Sequence, residues 1–265
     1  MNRLKIYLKM VSLSFQNSIT YKIEYFTSLL NALLYIFIFA SVWAIVIPEN
    51  SPIHGISRKT MISYAVLTTL IKSTFSRSQS FFSSKIRTGE IAVELMKPIS
   101  LPLLYLSDII GKTLFQIFAR GIPLLVFSYF LFQIQLNFNI NIFYKFMILY
   151  LLSFIIYFFL NFFLSSLAFY FVEVYPFWIL YFALITLLSG GIIPIDFFPE
   201  YLQSFILFTP FPYLFYFPTM LLLQSELVLP YSTLVLYYCI HIFVLFCVVS
   251  IVYWFGLRKL TIAGG

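Results

Sequence analysis

The sequence has little charge, since only 9% of its 265 residues are Asp, Glu, Lys or Arg, against roughly 25% in soluble domains. Hydrophobic residues make up 62% of the chain, and the mean hydropathy is +0.99. A water-soluble domain of this length could not cover its surface with so few charges, so the composition excludes one. It predicts a single membrane domain over residues 1–265, without linkers.

Cysteine and histidine are also scarce, with two residues of each. Cys239 and Cys247 lie in one apolar run, about 12 Å apart along a helix, which is too far for a disulfide. His54 and His241 have no neighbours at metal-ligand spacing. Because no cluster of His, Asp or Glu indicates catalysis, we expect no catalytic residue, no bound cofactor and no metal ion in this chain.

The sequence lacks the segment G-x-x-x-x-G-K-[ST], with which many ATPases hold phosphates. The chain therefore cannot bind a nucleotide by that route. Its net charge of +7 does not indicate a nucleic-acid partner, because the basic residues lie beside hydrophobic runs and not in one patch. Their placement indicates a lipid bilayer as the surroundings.

Apolar runs are what the sequence has in abundance, and a transmembrane helix needs about 20 such residues. Apolar residues at helical spacing with a basic face predict an N-terminal amphipathic helix over 3–20, lying in the membrane interface. Six transmembrane helices then give an all-α integral membrane fold. The predicted spans are approximately 26–47, 61–75, 101–132, 144–172, 177–195 and 231–256.

Lys and Arg between these spans predict the orientation. Most of them lie before the first span, within 76–100 and after the last span, whereas 196–230 has no basic residue and three acidic ones. The positive-inside rule then places both termini and 76–100 in the cytoplasm. The even number of spans agrees with both termini on one side, and we expect a multi-pass protein of the inner (cytoplasmic) membrane.

The connection after the second span predicts a short helix. Thr88 is expected to cap this helix, with Glu90 in its first turn, where the helix dipole favours a carboxylate. Ile91, Leu95 and Met96 would form its apolar face. Such a helix could dock into a groove on another protein or lie on lipid headgroups, and helix physics alone favours neither.

The connection 196–230 is aromatic and broken by five prolines. It is too apolar for a solvated loop, and its apolar pieces are too short to span a bilayer. We expect one or two short helices that re-enter the outer leaflet or pack on the span ends. Gly190, Gly191 and Pro194 would end the fifth span in an irregular turn, and Pro199 follows in the outer hairpin.

The third span contains three charged residues. Asp108 and Lys112 are four residues apart, a spacing that supports an ion pair near the cytoplasmic end. Arg120 lies about 12 Å farther along, where a charge is costly and usually faces protein or a water-filled cavity. Arg120 could contact a substrate, or it could be neutralised by Asp108, Glu173 or a backbone carbonyl.

The connection after the second span also carries a motif. It consists of Ile86-Arg87-Thr88-Gly89-Glu90-Ile91, followed by Glu94-Leu95, Lys97-Pro98 and Leu101-Pro102. This motif resembles the cytoplasmic motif of ABC-2 type transporter permeases, the membrane subunits of a class of bacterial ATP-binding-cassette exporters. Similar marks elsewhere are Gly111, Arg120-Gly121-Ile122-Pro123, the stretch from Gly191 to Pro199, and the basic end at 256–259. Lys97 departs from the arginine expected there.

The resemblance implies a non-catalytic subunit that forms half of a translocation path for export. Two cytoplasmic ATPase subunits would bind ATP and Mg²⁺, and a second permease chain, identical or homologous, would complete the complex. The helix at about 88–97 would be the coupling helix that docks on the ATPase. The residues assigned to it are Arg87, Thr88, Gly89, Glu90, Ile91, Glu94, Leu95, Lys97 and Pro98.

Two other functions stay open from the residues alone. An ion-coupled secondary transporter would need broken helices and acidic residues at mid-membrane, and a membrane-embedded enzyme would need clustered polar catalytic groups. Outside the third span the apolar runs contain few such residues. The residues do not distinguish a drug, a peptide, a lipid or a lipid-linked glycan as the substrate.

Overall fold

The structure, a computed structural model, describes residues 3–20, 22–48, 57–132, 139–223 and 229–260. Every regular element in these ranges is helical. The α-helices are α1 (Arg3–Thr20), α2 (Lys22–Val46), α3 (Arg58–Thr74), α4 (Phe81–Arg87), α5 (Glu90–Met96), α6 (Leu101–Gln116), α7 (Ile122–Phe132), α8 (Ile140–Ser166), α9 (Tyr175–Leu188), α10 (Glu200–Leu207), α11 (Tyr216–Leu222) and α12 (Tyr231–Lys259).

Four of the described helices are long and apolar enough to cross a membrane. They are Ile23–Val46, Leu101–Phe132, Ile140–Phe169 and Tyr231–Lys259, and they correspond to the first, third, fourth and sixth predicted spans. The helix Leu101–Phe132 includes a wide π-helical turn between α6 and α7, and the helix Ile140–Phe169 ends in a short 3-10 turn after α8.

The other two predicted spans are shorter helices. The second corresponds to α3 with 17 residues, and the fifth to α9 with 14. At 1.5 Å per residue these helices are about 25 and 21 Å long, less than a hydrocarbon core of about 30 Å. Length therefore separates α3 and α9 from the four long helices.

The least apolar of these helices, α3, is also the most enclosed one. Ser57 caps its start by accepting a hydrogen bond from the Thr60 N–H at 3.2 Å, and 11 of its 17 residues are buried. Its hydroxyl groups are satisfied inside the protein: Thr68 donates to Thr219 at 3.2 Å, and Thr69 donates to the Ala65 carbonyl at 2.8 Å. Because α3 faces protein, it needs no lipid-compatible surface.

One end of the bundle groups five basic residues, and we call it the cationic end. Here α4, α5, the turn after α8 and the last turn of α12 meet. Arg87 pairs with Glu173 across this end, and Lys259 lies 5.3 Å from the Tyr170 ring. The basic residues that this end includes are Lys85, Arg87, Lys97, Arg258 and Lys259.

The opposite end is closed by residues 189–222, which we call the aromatic segment. It contains a 3-10 turn, α10 and α11, and α11 packs against α3 and α8. Ser153 of α8 and Tyr238 of α12 both donate hydrogen bonds to the Tyr213 carbonyl, at 2.6 and 2.7 Å. Of the two short helices in this region, α11 is part of the buried core, whereas α10 buries only Ile206.

The N-terminal helix α1 lies along α6. Gly111 makes this approach possible, because a Cβ atom there would be 2.4 Å from the Val11 carbonyl oxygen and 2.8 Å from Ser14 Cβ. The Tyr7 hydroxyl accepts a hydrogen bond from the Ser100 N–H at 3.0 Å, which ties α1 to the start of α6. Several apolar side chains of α1, such as Leu4 and Leu8, remain exposed.

Candidate functional site

The predicted coupling helix at about 88–97 corresponds to α5 (Glu90–Met96), and a second short helix, α4, directly precedes it. Thr88 ends α4, and its side chain donates to the Ser84 carbonyl at 3.1 Å. Gly89 then turns the chain with a φ of 75° and directly precedes α5. The prediction that Thr88 caps the second helix was therefore wrong, because a left-handed residue is needed to reverse the chain and glycine adopts that conformation without strain.

This α4–α5 hairpin is anchored by two buried side chains. Phe82 and Ile91 are fully buried, and the Phe82 ring stacks on Tyr105 of α6 with centroids 5.8 Å apart. The same ring lies 5.6 Å from Phe162 and 5.1 Å from Phe169, at the end of α8. The hairpin is therefore packed directly against α6 and the end of α8.

The outer face of the hairpin is apolar and exposed. Met96 is 79% exposed, and Val93 and Leu95 are exposed as well. The predicted apolar face is thus divided, since Ile91 packs inward while Leu95 and Met96 do not. Lys97 and Pro98 follow on the surface.

The hairpin's charged residues differ in their partners. Lys85 of α4 pairs with Glu94 of α5 and holds the two helices together. Arg87 pairs with Glu173 in the turn before α9, whereas Glu90 is exposed and makes no ion pair in the described part of the chain. Glu94 is therefore a structural group, and Glu90 is the free acidic group of this surface.

Asp108 and Lys112 form an ion pair on α6, with Lys112 Nζ 2.6 Å from Asp108 Oδ2. Ser14 donates to Asp108 Oδ1 at 2.9 Å and Ser78 donates to Oδ2 at 2.7 Å. Lys112 also donates to Ser78 Oγ at 3.0 Å. Both oxygens of Asp108 are occupied, so this carboxylate joins α1, α6 and the segment after α3.

Arg120 lies in the π-helical turn Ile117–Gly121. Pro123 lacks an N–H and its ring crowds the preceding turn, which favours this local widening of the helix. Gly121 brings the wide turn against α3, since a Cβ there would be 3.1 Å from Thr74 Cγ2. Wide turns of this kind are frequent at functional sites.

Arg120 makes no ion pair within the described ranges, and its Nε is buried without a hydrogen-bond partner. The acids that the sequence suggested as partners are engaged elsewhere, Asp108 with Lys112 and Glu173 with Arg87. The guanidinium faces a polar space between helices instead. This outcome matches the expectation that an intramembrane charge faces protein or a cavity.

The space beside Arg120 consists of two adjoining cavities, which we call the cationic chamber. Their volumes are about 410 and 320 Å³, and they share four lining residues. The shared residues are Ser76, Arg77, Gln116 and Arg120. The larger cavity also reaches Lys72 and five aromatic rings, Phe75, Tyr157, Tyr181, Phe182 and Phe215.

Aromatic rings hold two of the chamber's cations. The Phe182 ring centroid lies 5.9 Å from Lys72 Nζ and 5.4 Å from the Arg77 guanidinium carbon. Tyr35 adds a second ring, 5.4 Å from Lys72 Nζ. Such contacts stabilise a cation without neutralising it.

A separate apolar cavity of about 400 Å³ has Thr74 and Gly121 in its lining. It is lined by side chains of α3, α7 and α8 such as Leu70, Ile122 and Phe146. Thr74 donates to the Ile71 carbonyl at 2.7 Å and also bonds the Tyr150 hydroxyl at 2.8 Å, which links α3 to α8 at this cavity.

The predicted irregular turn after the fifth span begins the aromatic segment. Gly190 has a φ of 71°, and its carbonyl accepts a hydrogen bond from Tyr64 at 2.6 Å. Gly191 follows beside the chamber, where a Cβ would be 3.8 Å from Lys72 Nζ. Pro194 precedes the 3-10 turn, and Pro199 directly precedes α10.

Sequence reasoning missed Lys72 and Arg77 as members of a site. Lys72 was expected to extend toward the surface, and Arg77 was counted among the cytoplasmic loop charges. Only their position beside a helix end in polar sequence could have indicated a cavity. In the part of the chain that the structure describes, no group of three His, Cys, Asp or Glu side chains could hold a metal ion.

Comparison with known families identifies the architecture. The sequence model of the ABC-2 family transporter proteins matches residues 29–264, nearly the whole chain. No curated protein matches the chain significantly. The long apolar helices agree with this match, and so does the motif at 86–102. The chain belongs to the ABC-2 transporter family, and it is a multi-pass membrane protein of the permease type.

Proposed function

We propose that the chain is the non-catalytic membrane subunit of an ATP-driven exporter, powered by a separate cytoplasmic ATPase. It would form half of the translocation path, with a second permease chain forming the other half. The observation that carries the proposal is the α4–α5 hairpin. Its outer face is exposed and apolar while its inner face is locked into the bundle.

The proposed topology has six crossings and both termini in the cytoplasm of a cell with an inner membrane. The cationic end, with Lys85, Arg87 and Lys259, would face the cytoplasm by the positive-inside rule. The aromatic segment would face outward and close the path. The short helices α3 and α9 would complete the crossings with the non-helical residues 75–80, of which Phe75, Ser76 and Ser78 are buried, and with the buried turn at Gly190.

The hairpin is suited to pass on force from an ATPase. ATP and Mg²⁺ would bind to the ATPase pair, and closure of that pair would push on Val93, Leu95 and Met96. Phe82 and Ile91 would transmit the push to α6 and α8 through the rings that surround them. The bundle would then alternate between two packings, each stabilised by a different state of the ATPase.

Co-purification tests this proposal. An affinity-tagged full-length chain, extracted from its native membrane, is expected to carry an ATP-binding-cassette ATPase identifiable by mass spectrometry. Val93→Glu with Met96→Glu should reduce the recovered ATPase at least tenfold, because two carboxylates would then be desolvated in an apolar contact. Insertion of the variant in the membrane should be unchanged.

Met96→Leu is the matched control, because it keeps the apolar character of the same position and should recover wild-type amounts of ATPase. Undiminished ATPase with the double variant would contradict docking through the hairpin. Transport by the purified chain alone, driven by a proton gradient, would contradict the dependence on an ATPase and support a secondary transporter.

A further inference from the structure

We propose that the cationic chamber binds an anionic group, a phosphate or carboxylate carried by an amphiphilic molecule, and that Arg77 and Arg120 hold that group. This inference rests on the proposed function, because it names the class of substrate that the permease would carry.

The chamber contains cations without matching acids. Lys72, Arg77 and Arg120 line the larger cavity, and no acidic side chain does. In the smaller cavity Glu24 is an exposed lining residue, and Lys112 is already paired with Asp108. Lys72 and Arg120 are partly buried whereas Arg77 is exposed, so the cost of an unpaired cation away from bulk water falls on Lys72 and Arg120. The three like charges also repel one another. A bound anion would offset both effects.

The arginines have free donors. The buried Nε of Arg120 has no partner, and Arg77 makes no hydrogen bond or ion pair within the described ranges, its contact being the Phe182 ring. A guanidinium presents five N–H donors in a planar fork, which matches the oxygens of a carboxylate or phosphate. Two such forks beside one cavity can hold one anionic group.

Lys112 is a cation with a structural role, and its partners can be compared with those of Arg120. It lies on the same helix run as Arg120, and it is neutralised by Asp108 and hydrogen-bonded to Ser78. Arg120 has neither kind of partner among the described residues. The difference separates a cation that holds helices together from one that faces an open cavity.

The chamber also accommodates an apolar body. Five aromatic rings line the larger cavity, including Phe75, Tyr181 and Phe215. Its volume of about 410 Å³ lies within the roughly 300–1,000 Å³ of ligand-binding pockets. Guanidinium groups beside aromatic walls favour a molecule with an anionic head and a hydrophobic portion.

Native mass spectrometry of the full-length protein in detergent tests the inference. The probes are dioleoyl phosphatidic acid and dioleoyl phosphatidylcholine, which differ only in the headgroup. Wild-type protein should bind phosphatidic acid at least tenfold more tightly than phosphatidylcholine. Arg77→Gln and Arg120→Gln should each weaken phosphatidic acid binding about tenfold, since each removes one guanidinium fork.

Two further variants guard against loss of fold. Arg120→Lys keeps the charge without the planar fork and should retain part of the affinity. Arg258→Gln is the matched control, because the Arg258 guanidinium stacks on Trp254 at 3.4 Å and lines neither cavity of the chamber. Its phosphatidic acid affinity should stay within about twofold of wild type, as expected for an arginine without a role in binding.

Competition separates the two sources of an anion. Displacement of phosphatidic acid by millimolar inorganic phosphate would show that a free anion suffices, and resistance to phosphate would show that the acyl chains contribute. Equal binding of the two lipids, or full binding by both glutamine variants, would overturn the inference. ATPase co-purification in the same preparations decides the proposed function independently, because chamber variants leave the hairpin intact.

Discussion

Two helices of this bundle have the same length and opposite environments. Helix α5 in the hairpin has seven residues, of which only Ile91 is buried. Helix α11 in the aromatic segment also has seven residues, and six of them, Tyr216 to Leu221, are buried. Neither helix is long enough to be stable alone, so each depends on its surroundings.

The hairpin presents an exposed apolar surface, whereas α11 of the aromatic segment is buried in the bundle. The hairpin has its fully buried anchors in Phe82 and Ile91 and leaves side chains such as Val93, Leu95 and Met96 exposed. The aromatic segment distributes its anchoring over many side chains and over backbone hydrogen bonds, such as that from the Tyr216 N–H to the Ser189 carbonyl at 3.1 Å. Single substitutions should therefore affect the two regions unequally.

The largest effect is expected from Phe82→Ala. Truncating a fully buried Phe costs about 3–5 kcal/mol, and here the ring is one of two buried anchors of the hairpin. Unfolding in mixed micelles should show this loss, and limited proteolysis should cleave at residues 83–98. A stable variant with a protected hairpin would show that Ile91 and the ion pairs suffice to hold it.

The next effect compares two glycines with positive φ. Gly190→Ala should cost about 2–4 kcal/mol, combining left-handed strain with overpacking, because the new Cβ would lie 2.7 Å from the Tyr64 hydroxyl and 2.8 Å from Tyr216 Cβ. Gly89→Ala meets nothing within 4 Å and should cost only about 1 kcal/mol of strain. Thermal unfolding of both variants in one detergent measures the difference, and equal losses would contradict the crowding at Gly190.

A smaller effect is expected from Tyr216→Phe. The Tyr216 hydroxyl lies 2.9 Å from both carboxylate oxygens of Asp196, and losing a hydrogen bond to a charged group costs about 1.5–3 kcal/mol. Tyr201→Phe, at an exposed position of the same segment, is the control and should leave the unfolding temperature unchanged. If the two variants behave alike, the Tyr216–Asp196 contact does not support the segment.

The smallest effect is expected from Glu173→Gln, which removes the exposed ion pair with Arg87 at the cationic end. Exposed pairs contribute about 0–1 kcal/mol and weaken as salt rises. Glu94→Gln should cost more, because Lys85 and Glu94 are largely shielded from solvent, at 18% and 16% exposure. Unfolding at low and high salt distinguishes the two, and only the Glu173 variant should match wild type at high salt.

Several features were predictable because they depend on spacing along one helix. The spacing of Asp108 and Lys112, four positions apart, predicted the ion pair that the structure shows. The charge of Arg120 within an apolar run predicted a cavity or a protein neighbour, and it faces a cavity. The break at Gly89 was not predictable, because Thr88 can cap a helix on either side and the packing of Phe82 and Ile91 selects the two-helix arrangement.

The sequence by itself determined that the chain lies in a lipid environment and that one end of the bundle differs in charge from the other. So few charges and so many apolar residues are compatible only with a lipid environment, and the clustering of Lys and Arg distinguishes one end from the other. The chamber was decided by tertiary structure alone. Lys72, Arg77 and Arg120 come from separate elements, and whether a charge has a partner depends on which side chains lie within a few ångströms across helices. The pattern of apolar and charged residues along the chain indicates whether a helix lies in lipid. Which cations remain unpaired depends on the packing between helices.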